Sequence, residues 1–265
     1  MAIEIRNETS DSAELYLSGS IVDDEMGGIM EEWCDNTTGY QWPDKIRDQL
    51  DALKGKALTI YINSDGGSVP AGVAMANMIA RHDGRTTAIV DGWCCSIATQ
   101  VFFAADRRQI PANAYLMIHK PAVYAGGNAD DLRKSADVLD TIQRGLEEAY
   151  IKAAREGVTA EMIRQMVNTE TWLTGKETAE LFNVELLEAA QMAACVGNAK
   201  FMQHIPEGLH RMSDGKPQQE LPAVEAAAEE HCLLAAEEEK RCFLAAQEMR
   251  QRAEIALALA KGAMI

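Results

Sequence analysis

Two strand–turn–helix units follow one another between residues 57 and 107, and no other feature of this 265-residue chain limits its fold as strongly. ALTIYINS (57–64) is a short apolar run rich in β-formers and reads as a buried strand, with Asp65-Gly66-Gly67-Ser68 as the turn after it. VPAGVAMANMIARH (69–82) is a small-residue helix suited to packing on a sheet. RTTAIVDGWCC (85–95) is the next strand and SIATQVFFAADR (96–107) the next helix. Strand, crossover helix and strand at this spacing make a βαβ unit, whose strands lie parallel. The expected fold class is therefore α/β.

The flanking segments extend the pattern. AELYLSGSIV (13–22) alternates as a half-buried strand should, and residues 23–42 read as a loop with a short helix. Residues 43–54 open with Pro43 and set Ile46, Leu50 and Leu53 on one helical face. Residues 108–119 have the rhythm of a short β pair. A long helix is expected from Asn128 to Glu156, ended by Gly157, with Leu132, Ala136, Leu139, Ile142, Leu146, Ala149 and Ile151 as its apolar stripe. Thr159 and Thr174 are N-caps for helices over 159–168 and 174–182. Beyond residue 190 the character changes, and three regions are expected: an α/β domain over 1–190, a linker over 191–222, and an acidic Ala/Glu-rich helical extension over 223–265.

Composition excludes several functions. The net charge of −16 repels phosphate backbones, so no nucleic-acid partner is expected. No run of about 18 apolar residues occurs, so no membrane-spanning helix is expected, and the N-terminal stretch lacks the form of a signal peptide. A cytoplasmic location with reduced thiols follows as an expectation, since the six cysteines form no C-x-x-C pair. The five histidines show no metal-ligand spacing, and neither a metal nor a cofactor is expected. No G-x-x-x-x-G-K-[ST] loop is present, so any use of ATP belongs to another chain.

Three local features carry chemistry. In Gly92-Trp93-Cys94-Cys95-Ser96-Ile97-Ala98 a strand ends and a helix begins, which aims a serine hydroxyl off the sheet edge beside free backbone N–H groups. Taken alone, Ser96 also fits a plain helix N-cap, and Cys95 is a second nucleophile to weigh. The Gly66-Gly67 pair lets backbone approach a ligand closely and also fits an ordinary tight turn. His119, at the end of an apolar run, has the chemistry to take a serine proton and return it to a leaving amine, and also fits a structural histidine.

In combination these features resemble one family. YINSDGGSVPAGVAMANMI, DGWCCSIATQVFFAADRRQIPANAYLMIHKP, GGNADDLRKSADVLDTI and ETWLTGKETAEL are similar to the ClpP family of serine peptidases across residues 13–187, and the third and fourth runs look most like its phage-encoded branch. The resemblance implies a ClpP/crotonase-like α/β fold with an outlying handle helix. It implies Ser96 as nucleophile, His119 as general base, and the N–H groups of Gly67 and Ile97 as an oxyanion hole. The family's aspartate aligns with Asn168, with Glu170 as the alternative third member. A charge-free partner can still orient an imidazole, but loss of the aspartate charge lowers turnover by about 10⁴-fold in a serine triad. Phe182-Asn183-Val184-Glu185 departs from the family's pattern, and that end is expected to be less well formed.

The implied partners are a protein or peptide substrate, such as phage scaffold or capsid protein, further copies in a homo-oligomeric ring, and in ClpP proper an ATPase chain. Two rival readings stand beside this one. One is a crotonase-type acyl-CoA enzyme, which has no need of the serine and histidine. The other is a ring-forming assembly protein whose protease site has decayed.

Overall fold

The computed structural model describes residues 3–33 and 39–188. The chain separates into units Met1–Ala190 and Gln191–Ile265. The linker and helical extension expected over 191–265 lie outside the described residues, as do Cys34, Cys195, Cys232, Cys242, His204, His210 and His231.

In chain order the elements are β1 (Ile3–Arg6), β2 (Ser12–Ile21), α1 (Asp24–Trp33), β3 (Tyr40–Gln41), α2 (Pro43–Ala52), β4 (Ala57–Gly67), α3 (Val69–Ala80), β5 (Thr86–Cys95), α4 (Ala98–Phe103), β6 (Arg107–Pro111), β7 (Tyr115–Ile118), α5 (Ala129–Ala153), α6 (Ala160–Asn168), β8 (Thr171–Thr174), α7 (Gly175–Leu181) and β9 (Glu185–Leu187). One sheet runs in the order β1-β2-β4-β5-β6-β9. Apart from the antiparallel β1–β2 edge, every step along it is parallel. The α/β class is thus observed, with crossover helices on the sheet as the βαβ spacing requires.

Burial alternates along β2, β4 and β5. Leu15, Leu17, Leu58, Ile60, Ile62, Ala88 and Val90 face inward. They join Ile46 and Leu50 of α2, Met75 and Ile79 of α3, and Val101 and Phe102 of α4 in one core. Residues 57–64 form the expected strand, with alternate residues in this core. On the other face Tyr61 stacks on Tyr16 with ring centroids 4.7 Å apart, and Arg6 lies over the Tyr16 ring. The Tyr16 hydroxyl is pushed up to about 12 by burial and by the neighbouring Glu14.

Three expectations are corrected. Residues 108–119 do not pair with each other. β6 lies parallel to Thr87–Ile89 and β7 parallel to Trp93–Cys95 along the same edge of β5. The turn between them closes with Ala114 N donating to Pro111 O and does not reverse the chain. The helix expected over 96–107 spans only Ala98–Phe103. Ser96 at φ 54 cannot belong to a right-handed helix, and Asp106 accepts from the Thr86 N–H and hydroxyl as the next strand begins. On α5 the predicted stripe is covered only in part: Leu146 packs against the core, whereas Leu132, Ala136 and Ile151 are exposed. Only Glu147, Tyr150 and Ala153 are buried, and no residue before Glu147 is, because the outer half stands clear of the body. Its start does follow the caps, with Asn128 and Asp131 bonded reciprocally.

The segment 182–185 is also well packed rather than poorly formed. Phe182 is fully buried with its ring 5.1 Å from Phe103. Its carbonyl accepts from Arg155 Nε, and β9 follows at once on the edge of β6. α7 ends on Phe182 at φ −121, an extended conformation, so no glycine is needed there. Phe182→Ala is expected to cost about 3–5 kcal/mol, read as a lowered urea midpoint, because it empties a core position that cannot collapse.

Candidate active site

The C-terminal ends of β4, β5 and β7 converge, as parallel strands that share one sheet must, and each delivers part of a site. Ser96 follows β5. Its N–H donates to Met117 O at 2.9 Å across to β7, and its carbonyl accepts from Thr99 N and from Thr99 Oγ1 at 2.6 Å. Pinned from both sides, the residue sits at φ 54, in the left-handed region that costs a side chain about 1–3 kcal/mol. The Oγ reaches His119 and makes no cap bond to the helix. Ile97, not Ser96, occupies the N-cap position of α4.

His119 follows β7, and its Nε2 lies 2.8 Å from Ser96 Oγ. Burial lowers the imidazole below its ordinary value of 6.5, and the charge of Glu170 opposes that shift. The ring is therefore neutral at pH 7 and has a lone pair free to accept. On its other side Nδ1 is 3.8 Å from Glu170 Oε2. That is longer than a hydrogen bond and short enough for the charge to act.

Asn168, the residue favoured by alignment, is not at the histidine. It ends α6 and its Oδ1 accepts from Gln143 Nε2 of α5 at 3.0 Å. Two residues later Glu170 adopts φ 51, and this left-handed step swings its carboxylate toward His119. Trp172 Nε1 lies 3.5 Å from Glu170 Oε1, and Trp172 packs edge-on against Trp93 with centroids 5.3 Å apart. Cys95 is fully buried, and burial together with the Asp65 and Glu170 charges drives its thiol far above the ordinary range, so it is no nucleophile.

The two oxyanion candidates are the residue after Ser96 and the last residue of β4. Ser68 N donates to Ile21 O in continuation of the β2 ladder. By the alternation of that ladder the adjacent Gly67 N–H points to the opposite side. The Ile97 N–H takes no protein acceptor among the described residues. The sequence read Gly66 only as half of a glycine pair, and the structure gives it a part of its own. A Cβ there would stand 2.7 Å from Cys95 O, 2.8 Å from Ser96 Cβ and 3.1 Å from Ile97 N, so only glycine lets β4 lie against the serine turn. The double glycine was the available signal. Among the described residues no cluster of three or more His, Cys, Asp or Glu is arranged to hold a metal ion. No helix among them is long and apolar enough to cross a membrane.

Known proteins share both sequence and architecture. The chain is 26% identical over 184 residues to ATP-dependent Clp protease proteolytic subunit 1 of Protochlamydia amoebophila, covering 68% of this chain and 82% of that one. It is 31% identical over 126 residues to proteolytic subunit 3 of Streptomyces coelicolor, spanning 46% of this chain and 57% of that relative. Among solved structures, a mutant of ClpP1 from Listeria monocytogenes superposes with a TM-score of 0.52 at 21% identity, covering 66% of this chain and 91% of that one, a likeness of fold. Residues 40–181 match the Clp protease family, and since that stretch is more than half of the chain and holds the serine, the histidine and both glycines described above, the chain belongs to the Clp protease family of serine-type peptidases.

Proposed function

We propose that this chain is a serine endopeptidase whose nucleophile is Ser96, whose general base is His119, and whose third member is Glu170 rather than Asn168. The observation that carries the reading is the 2.8 Å contact between Ser96 Oγ and Nε2 of the half-buried His119 imidazole. Nε2 takes the hydroxyl proton as Oγ attacks the scissile carbonyl, and the N–H groups of Gly67 and Ile97 receive the oxyanion. Glu170 stabilises the imidazolium so formed. Nε2 then returns the proton to the leaving amine, and a water, activated by the same nitrogen, hydrolyses the Ser96 ester. Of the rival readings, a crotonase-type enzyme leaves this serine–histidine pair without a purpose. A decayed assembly protein was motivated by the loss of the family's aspartate, which the carboxylate of Glu170 offsets.

A fluorophosphonate probe tests the assignment: one adduct per chain is expected by intact mass, mapped to the peptide holding Ser96. A folded protein without the adduct, or with one elsewhere, sinks it.

Two roles suit this activity. The runs GGNADDLRK and ETWLT support maturation of a phage head, with scaffold or capsid protein as substrate. The relatives' names support equally a proteolytic subunit served by an ATP-dependent unfoldase. The first role calls for cleavage of a loosely folded helical scaffold protein without nucleotide, whereas the second leaves that protein intact until an ATPase is added. A homo-oligomeric ring is part of either proposal. Its support is the outer half of α5, where Leu132 and Val138 are 46% and 52% exposed in the single chain. Light scattering on the purified protein reads the mass, and a monomer rejects the ring.

A further inference from the structure

One face of α5 sends hydrogen-bonded strings to two different parts of the site. Gln143, Glu147 and Tyr150 fall at i, i+4 and i+7, so they line the same side of the helix. Tyr150 is 2% exposed and its hydroxyl lies 2.7 Å from Thr99 Oγ1. Thr99 has a single hydroxyl proton, which it gives to the Ser96 carbonyl at 2.6 Å, and a carbonyl can only accept. Tyr150 must therefore be the donor to Thr99. The string Tyr150–Thr99–Ser96 runs from the helix to the backbone of the strained serine.

The second string starts one and two turns earlier. Gln143 Nε2 donates to Glu147 Oε1 at 2.7 Å and to Asn168 Oδ1 at 3.0 Å, which uses both of its protons. Glu147 is 4% exposed and also faces Arg164 Nε at 3.6 Å. Asn168 is thereby clamped to α5, and the chain has two residues in which to turn Glu170 onto His119. Nothing else in the described residues bonds the Asn168 side chain.

We propose that Tyr150 and Gln143 are positioning residues: Tyr150 holds the serine turn through Thr99, and Gln143 holds the Glu170 turn through Asn168. The proposal rests on Ser96 and Glu170 having the roles given above. In it Asn168 keeps a part in the site, through the backbone that follows it rather than through the imidazole.

The test is the rate of fluorophosphonate acylation of the full chain, with pH dependence and melting temperature measured on the same samples. Tyr150→Phe and Thr99→Val are each expected to slow acylation about tenfold, the scale of one hydrogen bond lost from a positioned group. The double variant is expected to be slowed about tenfold as well, because both changes cut one string. The acidic limb of the pH profile stays in place in all three, and Thr99→Ser, which keeps the hydroxyl, stays within about twofold of the parent. Gln143→Met is expected to move that limb to lower pH, as loss of the Glu170 charge does. The proposal is overturned if the single effects multiply in the double variant, if melting temperature falls with acylation unchanged, or if Gln143→Met leaves the limb unmoved. An adduct that persists in Ser96→Ala would instead reject the assignment of the nucleophile.

Discussion

Glu170→Gln is expected to lower kcat by about 10³-fold, less than the ~10⁴-fold seen when a buried, directly bonded triad carboxylate loses its charge. The discount follows from geometry: Glu170 Oε2 is 3.8 Å from His119 Nδ1 and its side chain is 38% exposed, so solvent shares in stabilising the imidazolium. The pH profile distinguishes this role from a structural one. Burial holds the His119 pKa below 6.5 and the Glu170 charge raises it, so removing the charge lowers it further. The acidic limb of kcat/KM, which reports the free base, therefore moves to lower pH while the plateau falls. Asn168→Ala keeps the Glu170 carboxylate and only loosens the turn that aims it, so it should cost far less and move the limb in the same direction by a smaller amount. Equal losses in the two variants, or a limb that stays in place in Glu170→Gln, would return the third position to Asn168.

The same shift gives a stability expectation. In the unfolded chain the histidine titrates near 6.5, and in the fold below it. Protonation thus favours the unfolded chain once the pH drops under 6.5. Full stability from this group is present above that pH and is lost as the pH falls toward the folded value, and Glu170→Gln deepens the loss.

Gly66→Ala is the second large effect, an expected loss of at least about 10²-fold in turnover, the scale set by a misplacement of about 1 Å among reacting groups. The added methyl would meet the Cys95 carbonyl, Ser96 Cβ and the Ile97 amide together, and the residue sits at φ 90. Relief requires the serine turn and the end of β4 to part, which separates the nucleophile and the Ile97 N–H from the Gly67 N–H. Backbone strain adds about 1–2 kcal/mol of destabilisation, a modest fall in melting temperature beside the loss of rate. Gly28→Ala is the control, since a Cβ there meets nothing within 4 Å. A Gly66→Ala protein that turns over like its parent would show that the serine turn is not held against β4.

What the amino-acid order determined by itself is what depends on near neighbours. Alternation in 13–22 and the strand–turn–helix repeat through 85–95 mark strands, small residues in 69–82 mark a crossover helix, and Asn128, Thr159 and Thr174 mark helix starts that the caps observe. The parallel pairing of β7 with β5, which the sequence did not show, sets the ends of the two strands side by side. That is why a serine after one and a histidine after the other meet at 2.8 Å. Matters left to the tertiary structure turn on side-chain direction and on contacts between distant residues. The family resemblance put Asn168 where an acid was expected, but Asn168 belongs to a helix that aims it at Gln143, while the left-handed step at Glu170 aims the carboxylate at the imidazole. Periodicity found an apolar stripe on α5, but which face is covered depended on where the body of the fold ends, and the covered face carries Glu147 and Tyr150. Phe182 broke a local helix-end rule and was stabilised by Phe103, far away in the chain. A periodic pattern needs only a few neighbouring residues to be read, whereas orientation is set by packing that exists only once the whole chain has folded.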